Sequence, residues 1–305
     1  MNLRQKNNIL IYVILVIAMI FWGTSYVFTS IVLKSLEPVS IVFIRLLISA
    51  PLLWIIIALF FRKEKIPRSV WKWIAALAFF QPFIYFIGET YGLQRVSPVV
   101  TSLIISTIPV FTAIVMRLFF KAKLTMINFI GVFISLAGVI LMIVGKNMQI
   151  DVDLLGLLLL SVAVFAAVGY GILLNKLSVN VHPVWLIAVQ NTFAAVFFLP
   201  LYLVLKESPN FDHATSISML SPQGEMWLCL LILAIFCSTL AFIFYTMAVG
   251  KIGVARATVF SNLTPIFTAL TSFFLLGELL ATTKIIGIFV VIFGLILTQR
   301  RVDKS

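Results

Sequence analysis

One stretch of this chain is written twice. Residues 96–142 align without a gap onto residues 252–298 at a fixed offset of 156, with 11 identities in 47 positions. Matches among Ile, Leu and Phe come cheaply in so apolar a chain. The block Pro109, Phe111, Thr112 and Ala113 against Pro265, Phe267, Thr268 and Ala269 does not, and neither do Gly131 and Gly138 against Gly287 and Gly294. Proline and glycine set backbone shape rather than supply apolar surface. A duplicated unit restricts the fold severely, because whatever the segment builds it builds twice, and the copies must dock.

The medium follows from composition. Of 305 residues, 62% are hydrophobic and 10% charged, against roughly 25% charged in soluble domains. A spanning helix takes about 20 apolar residues. The apolar runs that qualify as candidates are Ile9–Ile31, Val39–Phe61, Trp71–Leu93, Pro98–Phe120, Ile127–Val144, Leu154–Leu174, Val184–Leu205, Met226–Val249, Ala255–Leu276 and Thr283–Leu297. The expected fold is therefore an all-α membrane protein with ten transmembrane helices. The first run has no small-residue cleavage site behind a short apolar core, so it is read as a retained helix.

Basic residues orient the runs. With the N-terminus in the cytoplasm, 15 of the 22 Lys and Arg residues fall on that side and five on the other, while Arg45 and Arg117 lie within runs. That asymmetry places both termini in the cytoplasm. It also accounts for the net charge of +12 without nucleic acid as a partner. Five runs per half is an odd number, so the second half enters the membrane from the opposite side. The expected organisation is two inverted five-helix repeats, residues 1–148 and 149–305, of the kind that places a site where the halves meet. Pro38 and Pro183, each opening a run at an offset of 145, support the same division.

Charge and polarity inside the runs are sparse, and such groups usually face the bundle interior. Glu89 completes a series with Gln81 and Tyr85, four residues apart and on one helical face. Arg45 lies about six residues, roughly 9 Å, below the same surface in the neighbouring run. We expect an Arg45–Glu89 pair near the outer end of a pathway, acting as a packing ion pair or as a gate with proton coupling. In the second half the equivalent positions are Gln190 and Tyr245, polar but uncharged. Pro109 and Pro265 interrupt equivalent runs, with Ser106, Thr107, Asn262 and Thr264 beside them to satisfy freed backbone or a ligand. Trp22, Tyr26 and Trp185 are candidates to enclose an apolar or aromatic substrate. Trp71, Trp73 and Trp227, at run ends, read as interface anchors. The paired glycines at spacing seven read as close helix packing.

Other chemistries lack their residues. Cys229 and Cys237 lie within one apolar run, and His182 and His213 fall in loops. The sequence offers no catalytic triad, no metal-ligand cluster and no nucleotide-binding loop, so neither an enzyme nor a cofactor is expected.

Phe21-Trp22-Gly23-Thr24-Ser25-Tyr26, Arg45-Leu46, Tyr245-Thr246-Met247-Ala248 through Ala255 and Ala257, Pro265, Gly277-Glu278 and Gly287 through Gly294 together resemble the EamA-like ten-helix members of the drug/metabolite transporter superfamily. The resemblance covers essentially the whole chain. It departs at Lys121-Ala122, where the first half lacks the Gly-Glu of the second. The resemblance implies a secondary transporter of the bacterial inner membrane, exporting amino acids or related small metabolites. A lipid or lipid-linked sugar flippase and a non-transporting scaffold stand as alternatives. An enclosed cavity favours the exporter, a laterally open groove the flippase.

Overall fold

The computed structural model describes residues 3–61, 66–120, 126–143, 153–211, 220–277 and 282–298. Among them every regular element is helical, as a chain in lipid requires when backbone polar groups must be met within the segment. In order the helical rods are α1 (Leu3–Val32), α2 (Pro38–Phe60), α3 (68–93), α4 (98–120), α5 (Met126–Ile143), α6 (Leu154–Leu177), α7 (Pro183–Leu205), α8 (Pro222–Ile252), α9 (254–276) and α10 (Thr282–Thr298). Seven helices among the described residues are long and apolar enough to cross a membrane, and Phe260–Leu276 and Ile285–Gly294 are shorter apolar helices. The boundary expected at 148/149, and the motif residues Glu278, Lys121 and Ala122, lie outside the described residues.

Four rods are broken. In α3 the turn Phe79–Ile84 is π-helical, and Gln81 leaves helical geometry altogether (φ −147°, ψ 123°). The ring of Pro82 disfavours the α region for the residue before it. In α8 the segment Leu233–Leu240 is also π-helical, with no proline inside it. α4 turns at Ser106 and Thr107 between Pro98–Ile105 and Ile108–Phe120. α9 passes through a tighter 3-10 stretch, Thr258–Leu263, before Thr264–Leu276. Pro109 and Pro265 each stand in the first turn of the restarted helix, where a missing N–H costs nothing. α9 follows Gly253 (φ 81°) and stops at Gly277 (φ 66°), left-handed positions that only glycine takes freely.

Helices approach closely where side chains are absent. A Cβ on Gly138 of α5 would lie 2.7 Å from the Val291 nitrogen and 3.0 Å from the Gly287 carbonyl of α10, so Gly138 and Gly287 bring that pair backbone to backbone. Gly88 of α3 approaches the Leu159 carbonyl of α6 within 2.5 Å on the same measure, and Gly23 of α1 the Thr264 carbonyl of α9 within 2.8 Å. Other packed pairs are α2 with α7, α2 with α8, α3 with α7, α1 with α8, α4 with α6 and α4 with α9. The main apolar core fills the space among them with residues such as Leu53, Leu77, Leu160, Leu186 and Phe198. Trp71, Trp73 and Trp227 are exposed at rod ends.

Candidate functional site

The broken turns leave carbonyls without their helical partners, and side chains from other rods collect there. The indole N–H of Trp22 donates to the Cys237 carbonyl in the π-helical turn of α8 (3.3 Å). Its ring packs on Phe242 at 5.2 Å and on Tyr245 at 5.0 Å between centroids. The next carbonyl, that of Ser238, accepts from the Asn191 side-chain amide (3.1 Å) and lies 3.4 Å from the Ser49 hydroxyl. Asn191 also donates to Ser49 at 2.8 Å, and Ser49 meets Thr239 at 2.6 Å. This buried polar knot ties α2, α7 and α8 together at the break.

Arg45 is carried into the same region. Its Nε donates to the Ser238 hydroxyl (3.2 Å), and its guanidinium carbon lies 4.7 Å from the centre of the Phe86 ring. Such a cation over an aromatic face is favourable, the more so when water is excluded. Across from it the Tyr85 hydroxyl donates to Glu89 Oε1 (3.1 Å), and the Tyr26 and Tyr85 hydroxyls lie 3.5 Å apart. Arg45 is 2% exposed and Glu89 6%. Two opposite charges so deep require either each other or polar neighbours, and here each has polar neighbours of its own. Among the described residues they do not form the close ion pair expected from the sequence. The reason is that Arg45 is drawn to Ser238 and Phe86, while Glu89 is turned to Tyr85.

These side chains line one cavity of about 780 Å³, including the space open to solvent. Of the residues singled out in the sequence, Trp22, Tyr26, Arg45, Gln81, Tyr85, Glu89, Tyr245 and Thr264 are brought together in its wall. Ser106, Pro109, Gln190, Asn262 and Pro265 are not. All five are buried outside that wall. The Ser106 hydroxyl donates to the Leu103 carbonyl and that of Thr107 to the Ile104 carbonyl, so they answer backbone groups within α4. Thr112, Thr258, Ser261 and Thr264 take the wall positions on α4 and α9. Trp185 stays outside the wall, edge-on to Trp54 at 5.4 Å, with its N–H 3.4 Å from the Phe61 carbonyl. Phe86, Tyr170 and Phe242 complete the aromatic lining and went unmarked in the sequence, where nothing separates them from the other rings of the apolar runs.

What the wall can do follows from its contents. It offers one cationic and one anionic group, several phenols and indole or phenyl faces. Among the described residues no cluster of His, Cys, Asp or Glu could hold a metal ion. The arrangement suits reversible binding of a small molecule with both polar and apolar parts.

Comparison with known proteins agrees with that chemistry. The profile of the EamA-like transporter family matches residues 9–144 and again residues 154–300. An uncharacterized transporter of Archaeoglobus fulgidus is 26% identical over 295 residues, covering 95% of this chain and 97% of its own. The uncharacterized transporter YetK of Bacillus subtilis is 24% identical over 299 residues, covering 96% and 88%. One crystal structure superposes with a TM-score of 0.70 at 16% identity over 94% of this chain and 97% of that one, a likeness of fold.

Proposed function

This chain belongs to the EamA-like transporter family, and from that premise we propose that it is a secondary transporter exporting small amphoteric metabolites, such as amino acids or related compounds, by alternating access. All of α1 to α10 cross the membrane in this reading, as two inverted five-helix units with both termini in the cytoplasm of a bacterial cell. The packing supports a two-fold relation between the units. Exchanging the two units turns the pair α3–α6 into α8–α1, the pair α4–α6 into α9–α1 and the pair α2–α8 into α7–α3, and each of these pairs is packed. The two π-helical turns correspond as well, since an offset of 156 carries 79–84 onto 235–240, inside Leu233–Leu240.

One observation carries the substrate class. Arg45 and Glu89 stand in one aromatic-lined cavity without neutralising each other by contact. A ligand with a carboxylate for the guanidinium and an ammonium for the carboxylate and the rings completes both at once, and charge-assisted hydrogen bonds are the strong ones. Walls drawn from α1, α2, α3, α4, α6, α8 and α9 favour an enclosed path over the lateral groove that a lipid flippase needs. Glu89 is the proton-coupling group in this reading. A metabolite screen of cells with and without the gene tests it. The expected result is selective lowering of one or a few cellular amphoteric compounds in the expressing cells. Unchanged amphoteric pools with altered lipid distribution would instead favour the flippase.

A further inference from the structure

A second group of polar side chains is buried with its hydrogen bonds unmet. Tyr170 in α6, Gln190 in α7 and Thr246 in α8 are 3%, 0% and 0% exposed. The phenol oxygen, both amide atoms and the hydroxyl have no partner at good hydrogen-bond geometry; Gln190 and Thr246 reach the Tyr170 hydroxyl only as weak hydrogen-bond partners. Tyr170 also lines the central cavity, so the group abuts the pathway from behind that ring. Burying such atoms unmet destabilises a fold, whereas Phe, Leu and Val would fill the same space without that cost.

The register of the repeat locates the group. An offset of 145 carries Arg45 onto Gln190, and one of 156 carries Thr90 onto Thr246 and Glu89 onto Tyr245. Thr90 is likewise 0% exposed with its hydroxyl unmet. Glu89 lies close before the end of α3 and Thr246 close before the end of α8. Five chain reversals separate those ends, so they belong to opposite faces of the bundle.

We propose that Tyr170, Gln190 and Thr246 form a second, uncharged polar subsite at the end of the pathway opposite Arg45 and Glu89. It takes a neutral group offering both a donor and an acceptor, a hydroxyl or a carboxamide, when the pathway opens on that side. The proposal rests on the alternating-access reading above. In an inverted pair, equivalent positions exchange surroundings between the two states, so Gln190 comes to face the pathway as Arg45 does here. With an amide in place of a guanidinium, this end holds its ligand by hydrogen bonds and not by charge.

The test uses the full chain in membrane vesicles with Cys229→Ser and Cys237→Ser, adding Gln190→Cys, Thr246→Cys, Thr90→Cys or, as a buried control, Leu160→Cys, one at a time. A membrane-impermeant methanethiosulfonate is applied from one side at a time. Gln190→Cys and Thr246→Cys are expected to react from the side where α7 begins, roughly tenfold or more faster than the control, because a state populated at even a few per cent exposes them. Thr90→Cys is expected to react from the other side. Acetamide should slow the reaction at positions 190 and 246, and acetate at equal concentration should not. If both positions react no faster than Leu160→Cys while Thr90→Cys reacts, the subsite is overturned and the transporter reading stands. If all three match the control, both fall together. Slowing by acetate and acetamide alike, or by neither, overturns the neutral ligand.

Discussion

Glu89 and Arg45 sit in the same cavity wall, and each is solvated by its own neighbours rather than by the other. That arrangement leaves the carboxylate free to bind a proton without dismantling an ion pair. Glu89→Gln keeps the shape and the Tyr85 contact while removing the proton site. Transport in proteoliposomes should then lose most of its pH dependence while some activity remains. A pH profile identical to that of the native chain would remove Glu89 from the coupling step. Asn191 makes a different prediction. Its amide holds both the Ser238 carbonyl and Ser49, so Asn191→Leu removes two buried hydrogen bonds and leaves the Ser238 carbonyl only the longer contact to the Ser49 hydroxyl, at a cost of about 1–3 kcal/mol. A matching fall in thermal stability in detergent is expected, and no fall would mean that water replaces the amide without loss. The contrast between these residues explains what could be read beforehand. A charge in an apolar run is rare enough to stand out, whereas Ser49, Asn191, Ser238 and Thr239 look like the serines and threonines that merely bond their own helix, as Ser102 does to Val99 and Ser106 to Leu103. Only the fold shows which of them cross between rods.

At the level of elements, the breaks decide where ligand-facing groups can stand. Pro109 and Pro265 announce two of them in the sequence, and Pro82 stands at a third. The π-helical turn of α8 has no such marker, and its position is visible beforehand only through the repeat. Proline marks the place of a break but not the direction in which its neighbours turn, which is why Ser106 and Asn262 were expected in the wall that Thr112 and Ser261 occupy. The glycine spacing, by contrast, announced close helix packing, and the fold shows that the partners are α5 and α10. Gly138→Leu would drive a side chain into the Val291 backbone. A loss of about 1–3 kcal/mol is the usual penalty of overpacking, measurable as a lower unfolding temperature, and an unchanged temperature would mean that the pair can part freely. The start of α6 is capped by Asp153, which accepts from the Gly156 N–H at 2.8 Å and meets Arg95 at 3.3 Å. The Gly156 bond, aided by Arg95, holds this carboxyl below its ordinary range. A depressed carboxylate adds stability above its unfolded value and loses it as pH falls through the folded one. Asp153→Ala should therefore unfold more easily at neutral pH, with the gap from the native chain closing in acid. A gap that persists in acid would show that the charge plays no part.

At the scale of the whole molecule, the closest contacts do not follow the order of the chain. Gly88 seats α3 on α6, and Trp22 with Phe21 ties α1 to the broken turn of α8 through Cys237. Each of these contacts joins a helix from one half of the sequence to a helix from the other. Packed interfaces of this kind have few intermediate arrangements and tend to move as units. If the cavity opens alternately, α3 with α6 should move against α1 with α8, and the cavity between them should change shape while each pair stays intact. Cross-linking distinguishes the two kinds of contact. Arg95 and Asp153 join α3 to α6 within one pair, so a short bridge between Arg95→Cys and Asp153→Cys should leave transport near its native rate. Tyr26 and Tyr85 face each other across the two pairs, with hydroxyls 3.5 Å apart. A bridge between Tyr26→Cys and Tyr85→Cys should stop transport, and reduction should restore whatever rate the unbridged double variant shows. Arrest by the first bridge, or continued transport through the second, would mean that the moving bodies are the sequence halves themselves and that the glycine-seated contacts between them slide in every cycle.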